Sequence, residues 1–190
     1  MKNKNGIIIG IIIILLIVWK ATQSPGGNSS TNIKADQRKR IAAKVKALWG
    51  KLIKYYAALY MLPEKRVAAI VAQESGGELN ARGAAGEIGL MQLMPIAIKD
   101  VDQNLKLDKT ILDIQQLQGQ GIFDFLFGDI FSDSKINYFD AKVNLQYGSA
   151  FLSLLNDRFG SIDEATKRYN GTGAAADAYL QSVKEYETYF

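Results

Sequence analysis

The segment that decides the fold is VAAIVAQESGGELNARGAAGEIGLMQLMP, at residues 67–95. Its first part has the periodicity of an amphipathic helix, because apolar side chains recur every three or four residues. One acid shares that apolar stripe, which consists of Val67, Ile70, Val71 and Glu74. The two glycines that follow are typical of a helix end, so Glu74 is predicted to lie in the last turn.

Two physical effects are expected at Glu74. Partial burial against apolar neighbours disfavours the charged carboxylate, and the negative end of the helix dipole does the same. Both raise the pKa of the carboxyl group toward the range in which it carries a proton at neutral pH and donates it to a substrate. The alternative is an ordinary solvated glutamate that ends a helix.

Two motif blocks stand at a fixed separation around this acid. The first is ESG at 74–76 and the second is GLMQLMP at 89–95, with NA at 80–81 and a glycine at 86 between them. The pattern resembles the signature of the soluble-type lytic transglycosylases, which are relatives of goose-type lysozyme. The resemblance implies a mainly α, lysozyme-like helical domain.

Later segments extend the resemblance toward the carboxyl terminus. FDAKVNLQYG at 139–148 is similar to one family pattern, and ATKRYNG at 165–171 is similar to the family's A-x-x-A-Y-N-x-G. In the latter, Arg168 stands where the family has alanine. Tyr179, with a valine four residues later, resembles the family's closing segment. The likeness covers roughly residues 40–190.

The resemblance implies that the substrate is the MurNAc–GlcNAc β-1,4 backbone of peptidoglycan. Glu74 would protonate the glycosidic oxygen, and the substrate's N-acetyl group would meet the charge that develops on the sugar. The ionised Glu74 would then take the proton of the MurNAc C6 hydroxyl, which closes a 1,6-anhydro ring. The nucleophile is intramolecular, so its effective concentration is high and no positioned water is needed.

The resemblance also implies supporting residues for Glu74 and for the substrate. Tyr169 is expected to donate a hydrogen bond to Glu74, while Gln92 and Asn170 offer neutral amides to N-acetyl and hydroxyl groups. Met91 is expected to form an apolar wall, and Ser75 is expected to steady either the loop or the substrate peptide. The candidate substrate-binding residues are therefore Ser75, Met91, Gln92, Tyr169 and Asn170.

The composition excludes several kinds of chemistry. The chain contains no cysteine and no histidine, which excludes a thiol nucleophile, a Ser-His-Asp triad and a zinc site of the usual ligands. We expect neither a metal nor an organic cofactor. All of the net charge of +4 comes from residues 1–34, which hold four lysines and no acid. The balanced remainder argues against nucleic acid as a partner.

An apolar run, GIIIGIIIILLIVW at 6–19, lies between lysines near the amino terminus. We interpret residues 1–22 as a transmembrane anchor helix, because extending the run brings it within the about 17–25 residues that a span needs. A cleaved signal peptide is the alternative, but small residues do not follow the run at the spacing that cleavage requires. Lysines on the cytoplasmic side would place the rest of the chain outside the cytoplasm.

Three further regions follow the anchor. Residues 23–35 are predicted to form a flexible linker, since QSPGGNSST cannot form a core. Residues 36–190 are predicted to form the lysozyme-like domain, which begins with a helix capped by Asp36 and carries an insertion at about 98–138. That insertion is either a helix packed on the body or an exposed flap. The basic face of the first helix is either solvated or in contact with anionic lipid headgroups or wall polymer.

The sequence thus predicts a single-pass membrane protein with an extracytoplasmic transglycosylase domain. Its expected partners are peptidoglycan strands, the membrane, and a larger membrane or virion assembly, so a virion membrane is a second possible location. Local wall opening would serve phage entry or exit, conjugation or secretion. Two alternatives remain: a goose-type muramidase that hydrolyses the same bond, and an anchored assembly factor that binds glycan without cleaving it.

Overall fold

The computed structural model describes residues 27–105 and 138–190, with side chains from residue 32 onward. The predicted anchor at 1–22 and most of the predicted insertion at about 98–138 lie outside the described residues. The described part is mainly α, as predicted. Its helices are α1 (Gly27–Leu59), α2 (Glu64–Ser75), α3 (Pro95–Leu105), α4 (Ala141–Phe159), α5 (Ile162–Asn170) and α6 (Ala174–Glu187).

The chain divides into two compact units, residues 1–37 and residues 38–190. The first is described only from Gly27 onward, where it is helical. The second contains the rest of α1, the other five helices and every side chain discussed below. None of the helices in the described ranges is long and apolar enough to cross a membrane.

The predicted start of the first helix is wrong. We expected it at Asp36, but α1 begins at Gly27, so residues 27–35 are helical and are not the flexible linker that we predicted. Pro25 is the last helix-breaking residue in this region. Ser, Thr and Asn each lower helix stability by less than about 0.7 kcal/mol, and extending an existing helix needs no new nucleus. Weak propensity alone therefore does not stop the helix.

Helix α2 is the centre of the second unit. Its residues 66–72 are buried without interruption, and residues 67–72 share one apolar cluster with Val45, Ile53 and Tyr56 of α1. The helix ends at Gly76, whose φ of 60° is left-handed and whose N–H bonds to the carbonyl of Ala72. A left-handed residue at this position commonly ends a helix, so α2 ends at a defined residue, directly after Glu74 and Ser75.

One buried charge, Arg66, joins three helices. Its side chain donates to Glu187 Oε1 on α6 at 2.6 Å, to Asp163 Oδ1 on α5 at 2.8 Å and to Thr166 Oγ1 on α5 at 2.8 Å. A buried guanidinium is tolerated only where such partners satisfy it. The network therefore holds α5 and α6, which carry the carboxyl-terminal motifs, against α2.

Asn144 on α4 holds the GLMQ segment in place. Its side-chain carbonyl accepts from the Met91 amide at 2.8 Å, and its amide group donates to the carbonyls of Ile88 and Tyr138 at 3.0 and 2.9 Å. Asn144 is fully buried, so water cannot replace these hydrogen bonds. Without them, the buried polar groups would have no partner, which is costly. A Cβ on Gly89 would lie 2.2 Å from Asn144 Nδ2. Glycine is therefore required there.

A second close approach joins α4 to this segment. A Cβ on Gly148 would lie 2.3 Å from Met91 Sδ and 2.8 Å from Met91 Cβ. Gly148 lies within α4 and has no unusual backbone angle, so its lack of a side chain serves packing alone.

We predict opposite effects for two Gly→Ala substitutions in helices. Gly148→Ala should lower the free energy of unfolding by about 1–3 kcal/mol, because the new methyl group overpacks against Met91. Gly50→Ala on α1 is the matched control: its nearest neighbour would be Lys46 Cγ at 3.8 Å, so it should raise that free energy by about 0.5–1 kcal/mol. Urea denaturation measures both, and a stable Gly148→Ala variant would contradict the packing argument.

Candidate active site

Glu74 lies in the last turn of α2, as predicted, and its side chain is half-buried. Burial raises the pKa of its carboxyl group to about 7, and the negative charge of Glu87 acts in the same direction. A hydrogen bond from Tyr179 lowers the pKa, but burial has the larger effect. At neutral pH the group is therefore present in both its protonated and its ionised forms, so it can donate or accept a proton.

The hydrogen-bond donor to Glu74 is Tyr179 on α6, whose hydroxyl lies 2.5 Å from Glu74 Oε1. Tyr179 is buried, and the packing of α6 against α2 brings the two side chains together although they are 105 residues apart in sequence. We did not predict this role. The signal was the resemblance of Tyr179 to the family's closing segment, to which no function had been attached.

The prediction that Tyr169 donates to Glu74 is wrong. The Tyr169 hydroxyl donates to the carbonyl of Met91 at 2.9 Å. Burial and the nearby charge of Glu74 raise the pKa of Tyr169 well above its ordinary value, so the phenol is neutral and close to the acid. The buried carbonyl of Met91 needs a donor, and Tyr169 satisfies it.

The prediction that Met91 forms an apolar wall facing the substrate is also wrong. Its side chain is fully buried in the core, beneath the loop and against Gly148. Its backbone instead supports the site, since its N–H bonds to Asn144 and its carbonyl accepts from Tyr169. An unbranched, polarizable side chain suits such an irregular space in a core.

Ser75 stabilises the end of α2. Its hydroxyl donates to the carbonyl of Val71 at 3.2 Å and accepts from the N–H of Gly77 at 3.1 Å. Of the two roles expected for this residue, the structure shows the contacts that steady the loop. Trp49 on α1 adds to them by donating from Nε1 to the carbonyl of Gly77 at 3.0 Å.

Gln92 and Asn170 line one cleft, of about 230 Å³. Gln92 has a positive φ of 44°, and its Nε2 donates to the carbonyl of Gly89 at 2.9 Å, which orients its amide. Asn170 is exposed at the end of α5. Tyr169 also lines the cleft, so a residue close to Glu74 forms part of its wall.

Four acids lie between or shortly after the two motif blocks and are candidates for a second catalytic carboxylate: Glu78, Glu87, Asp100 and Asp102. Three of them are paired with other groups. Glu78 pairs with Lys44, Asp100 pairs with Arg158 at 2.5 Å, and Asp102 accepts from Tyr147 at 2.7 Å. Glu87 differs, because its charge acts on Glu74. Its carboxylate accepts from the N–H of Ala85 at 2.9 Å.

The site thus combines one carboxyl group of raised pKa with a small cleft, and Tyr169, which lies close to that group, forms part of the cleft wall. Residues 51–118 match the family model of the transglycosylase SLT domain. This match, over about a third of the chain, supports the resemblance to the soluble lytic transglycosylases that the motifs indicated.

Two relatives are similar over most of the chain, and both are named membrane-bound lytic murein transglycosylase E. The protein from Buchnera aphidicola subsp. Baizongia pistaciae (strain Bp) is 24% identical over 82% of this chain, which spans 64% of that relative. The protein from Buchnera aphidicola subsp. Acyrthosiphon pisum (strain APS) is 26% identical over 97% of this chain and 78% of its own length.

Solved structures show the same fold. The 70 kDa soluble lytic transglycosylase from Escherichia coli superposes with a TM-score of 0.56 at 17% identity, covering 74% of this chain and 24% of that protein. An inactive mutant of the lytic transglycosylase Slt from Pseudomonas aeruginosa gives 0.55 at 21% identity, over 73% and 23% of the two chains. The mainly α, lysozyme-like fold is therefore confirmed.

We predict that Tyr179→Phe raises the pKa of Glu74 by about one pH unit. The hydrogen bond stabilises the ionised carboxylate, and such a bond to a charged group is worth about 1.5–3 kcal/mol before partial replacement by water. Carboxyl carbon chemical shifts followed across a pH titration measure this pKa.

Tyr186→Phe is the matched control, because Tyr186 also lies on α6 but packs against Arg38. It should leave the titration of Glu74 unchanged. An unaltered pKa in the Tyr179→Phe variant would show that the hydroxyl does not stabilise the charged form.

Proposed function

We propose that this protein is a lytic transglycosylase that cleaves the MurNAc–GlcNAc β-1,4 bond of peptidoglycan and forms 1,6-anhydro-MurNAc ends. The observation that carries the proposal is Glu74, whose pKa of about 7 suits both proton donation and proton removal. The names of the two relatives and of the solved structures support it.

In the proposed first step Glu74 donates its proton to the glycosidic oxygen, and the bond from that oxygen to C1 of MurNAc breaks. Burial favours the protonated acid that begins this step. The product is a carboxylate, which Tyr179 stabilises through its hydrogen bond of 2.5 Å. Burial and the hydrogen bond act in opposite directions, so the protonated and ionised forms of Glu74 are close in free energy. Proton donation and proton removal by Glu74 therefore both have a low cost.

In the second step the carboxylate removes the proton of the MurNAc C6 hydroxyl, whose oxygen bonds to C1. Glu74 is thereby restored to its protonated form, and no water is consumed. Gln92 and Asn170 are proposed to hold N-acetyl and hydroxyl groups of the sugars, because both line the cleft and both carry amides. Ser75 keeps the end of α2, and with it Glu74, in position.

Hydrolysis of the same bond is a second candidate reaction, and the presence of Glu87 near Glu74 favours it. A muramidase needs another carboxylate to activate water, and Glu87 is close enough for its charge to raise the pKa of Glu74. The identity of the products separates the two reactions, since hydrolysis leaves reducing ends.

We also propose that the protein acts at a membrane, as a single-pass protein whose catalytic domain lies outside the cytoplasm. The apolar run at 6–19 and the names of the two relatives support this. On α1 a row of cations is exposed, and it has exposed apolar neighbours in Leu48 and Tyr55. The exposed cations are Lys39, Arg40, Lys46, Lys51 and Lys54. Such a face attracts anionic lipid headgroups by about 1 kcal/mol for each charge near the surface.

The setting that we propose is local opening of the wall by a membrane or virion assembly, for phage entry or exit, conjugation or secretion. An enzyme tethered next to the membrane would cut only the strands within its reach. This restricts wall damage to the site of the assembly.

We predict that Glu74→Gln abolishes cleavage of purified peptidoglycan, because an amide cannot donate or accept the catalytic proton. Mass spectrometry of wild-type products should show anhydro ends, lighter than hydrolysed ends by one water. The control is Glu78→Gln, which changes an exposed acid paired with Lys44 and should retain wild-type activity. Muropeptide release by Glu74→Gln at the wild-type rate would exclude Glu74 as the catalyst.

The difference in stability between wild type and Glu74→Gln should depend on pH in a defined direction. The pKa of Glu74 rises from 4.5 to about 7 on folding, so between these values the folded state binds the proton more tightly than the unfolded state. Wild-type stability therefore falls as pH rises through this window, and the variant avoids the loss. The variant should be on the order of 2 kcal/mol more stable than wild type at pH 8, and less so at pH 4.5, by urea denaturation.

We predict that the full-length protein binds vesicles containing 30% phosphatidylglycerol more tightly than vesicles of phosphatidylcholine alone, and that salt weakens the difference. A variant with Lys46, Lys51 and Lys54 changed to Gln should lose most of that preference in a co-sedimentation assay. The control variant changes Lys99 and Lys142, two lysines outside α1, to Gln. An equal preference in all three proteins would exclude the basic face of α1 as a lipid contact.

A further inference from the structure

One cation lines the cleft that contains Gln92 and Asn170. Arg168, on α5, is the one charged side chain on the cleft wall among the residues that the structure describes. The rest of the wall is made of neutral polar groups and of apolar side chains such as Ile96 and Phe151. A cation on the wall of an otherwise uncharged cleft favours a ligand with an anionic group.

The guanidinium of Arg168 is held in one orientation. Its Nε donates to Glu164 Oε1, one turn earlier on α5, at 2.9 Å, and its Cζ lies 5.0 Å from the centre of the Phe159 ring. Within the described ranges its two terminal nitrogens have no hydrogen-bond partner. They form the planar fork that matches the two oxygens of a carboxylate, and little rotamer freedom remains to be lost on binding.

Arg168 is also a departure from the pattern that the rest of its segment follows. ATKRYNG resembles A-x-x-A-Y-N-x-G, in which a methyl group occupies this position. The long charged side chain at the cleft is therefore a property of this chain. It points to selectivity rather than to the bond-breaking step, which needs no cation at this place.

We propose that Arg168 binds a carboxylate of the peptide that is attached to the lactyl group of MurNAc. This inference rests on the proposed function. Peptide-bearing glycan strands carry several carboxylates next to the sugar that loses its glycosidic bond. Asn170 and Gln92, beside Arg168 on the same wall, offer amides to the sugar, while the guanidinium takes the charged substituent. Strands with free peptide carboxylates are therefore preferred substrates.

The test compares two preparations of the same glycan strands, both acetylated on their amines. In one the peptide carboxylates are free, and in the other carbodiimide and ammonia have converted them to amides. Wild type should show a kcat/KM about tenfold higher on the free carboxylates, mostly through KM. Arg168→Ala should reduce this ratio to about one, and Arg168→Lys should restore part of it, because lysine keeps the charge without the fork.

Two control variants separate recognition from structure. Lys167→Ala removes the neighbouring cation, which pairs with Asp177 at 2.7 Å and does not line the cleft, so it should keep the wild-type ratio. Glu164→Gln weakens the support of the guanidinium while keeping the cation, so it should retain a preference for free carboxylates. Chemical denaturation shows whether each variant is folded under the assay conditions.

The outcomes distinguish the inference from the function on which it rests. If wild type cleaves neither preparation, the proposed function fails and the inference fails with it. If wild type cleaves both preparations equally, or if Arg168→Ala keeps the tenfold preference, the carboxylate site is wrong while the transglycosylase activity stands. A lost preference in Lys167→Ala as well would attribute the effect to general charge and overturn the assignment to Arg168.

Discussion

The partial burial of the Glu74 carboxyl group is the constraint on which the site depends. Apolar neighbours on α2 and the packing of α6 remove water from it, and its pKa rises to about 7. Burial without a donor would leave the ionised form too costly to populate. The hydroxyl of Tyr179 supplies that donor, and Arg66 keeps α5 and α6 against α2 through its bonds to Asp163 and Glu187. The chemistry of one side chain thus depends on the alignment of three helices.

The loop that carries GLMQ is held in place by hydrogen bonds from its backbone to Asn144 and Tyr169. Asn144 bonds through its side-chain carbonyl to the Met91 amide and through its amide group to the carbonyls of Ile88 and Tyr138. Gly89 leaves room for Asn144, and Gly148 leaves room for Met91. Met91 fills the core while its backbone receives Asn144 on one side and Tyr169 on the other. Motif residues that look like substrate contacts in a sequence therefore include residues that only shape the loop.

Much of the fold could be predicted because its signals are local. The apolar stripe of α2 and the glycines after Glu74 define a helix and its end, whatever the rest of the chain does. Motif spacing also identified the segments that meet at the cleft, including Gln92 and Asn170. The start of α1 was missed because propensity is a weak signal: nine residues of modest helix propensity precede Asp36, where we predicted the start, and all of them are helical.

The sequence by itself determined where the acid lies, on the buried face at the end of a helix, because periodicity and helix-ending residues act over a few positions. Only the tertiary structure decided which group holds that acid. Tyr169 and Tyr179 are ten residues apart and equally able to donate a hydrogen bond. The one on α6 reaches Glu74, while the one at the end of α5 must satisfy the buried carbonyl of Met91. Which tyrosine donates to Glu74 depends on how two helices pack on α2 and on which backbone carbonyl needs a donor. Neither can be predicted from the spacing of residues in the sequence.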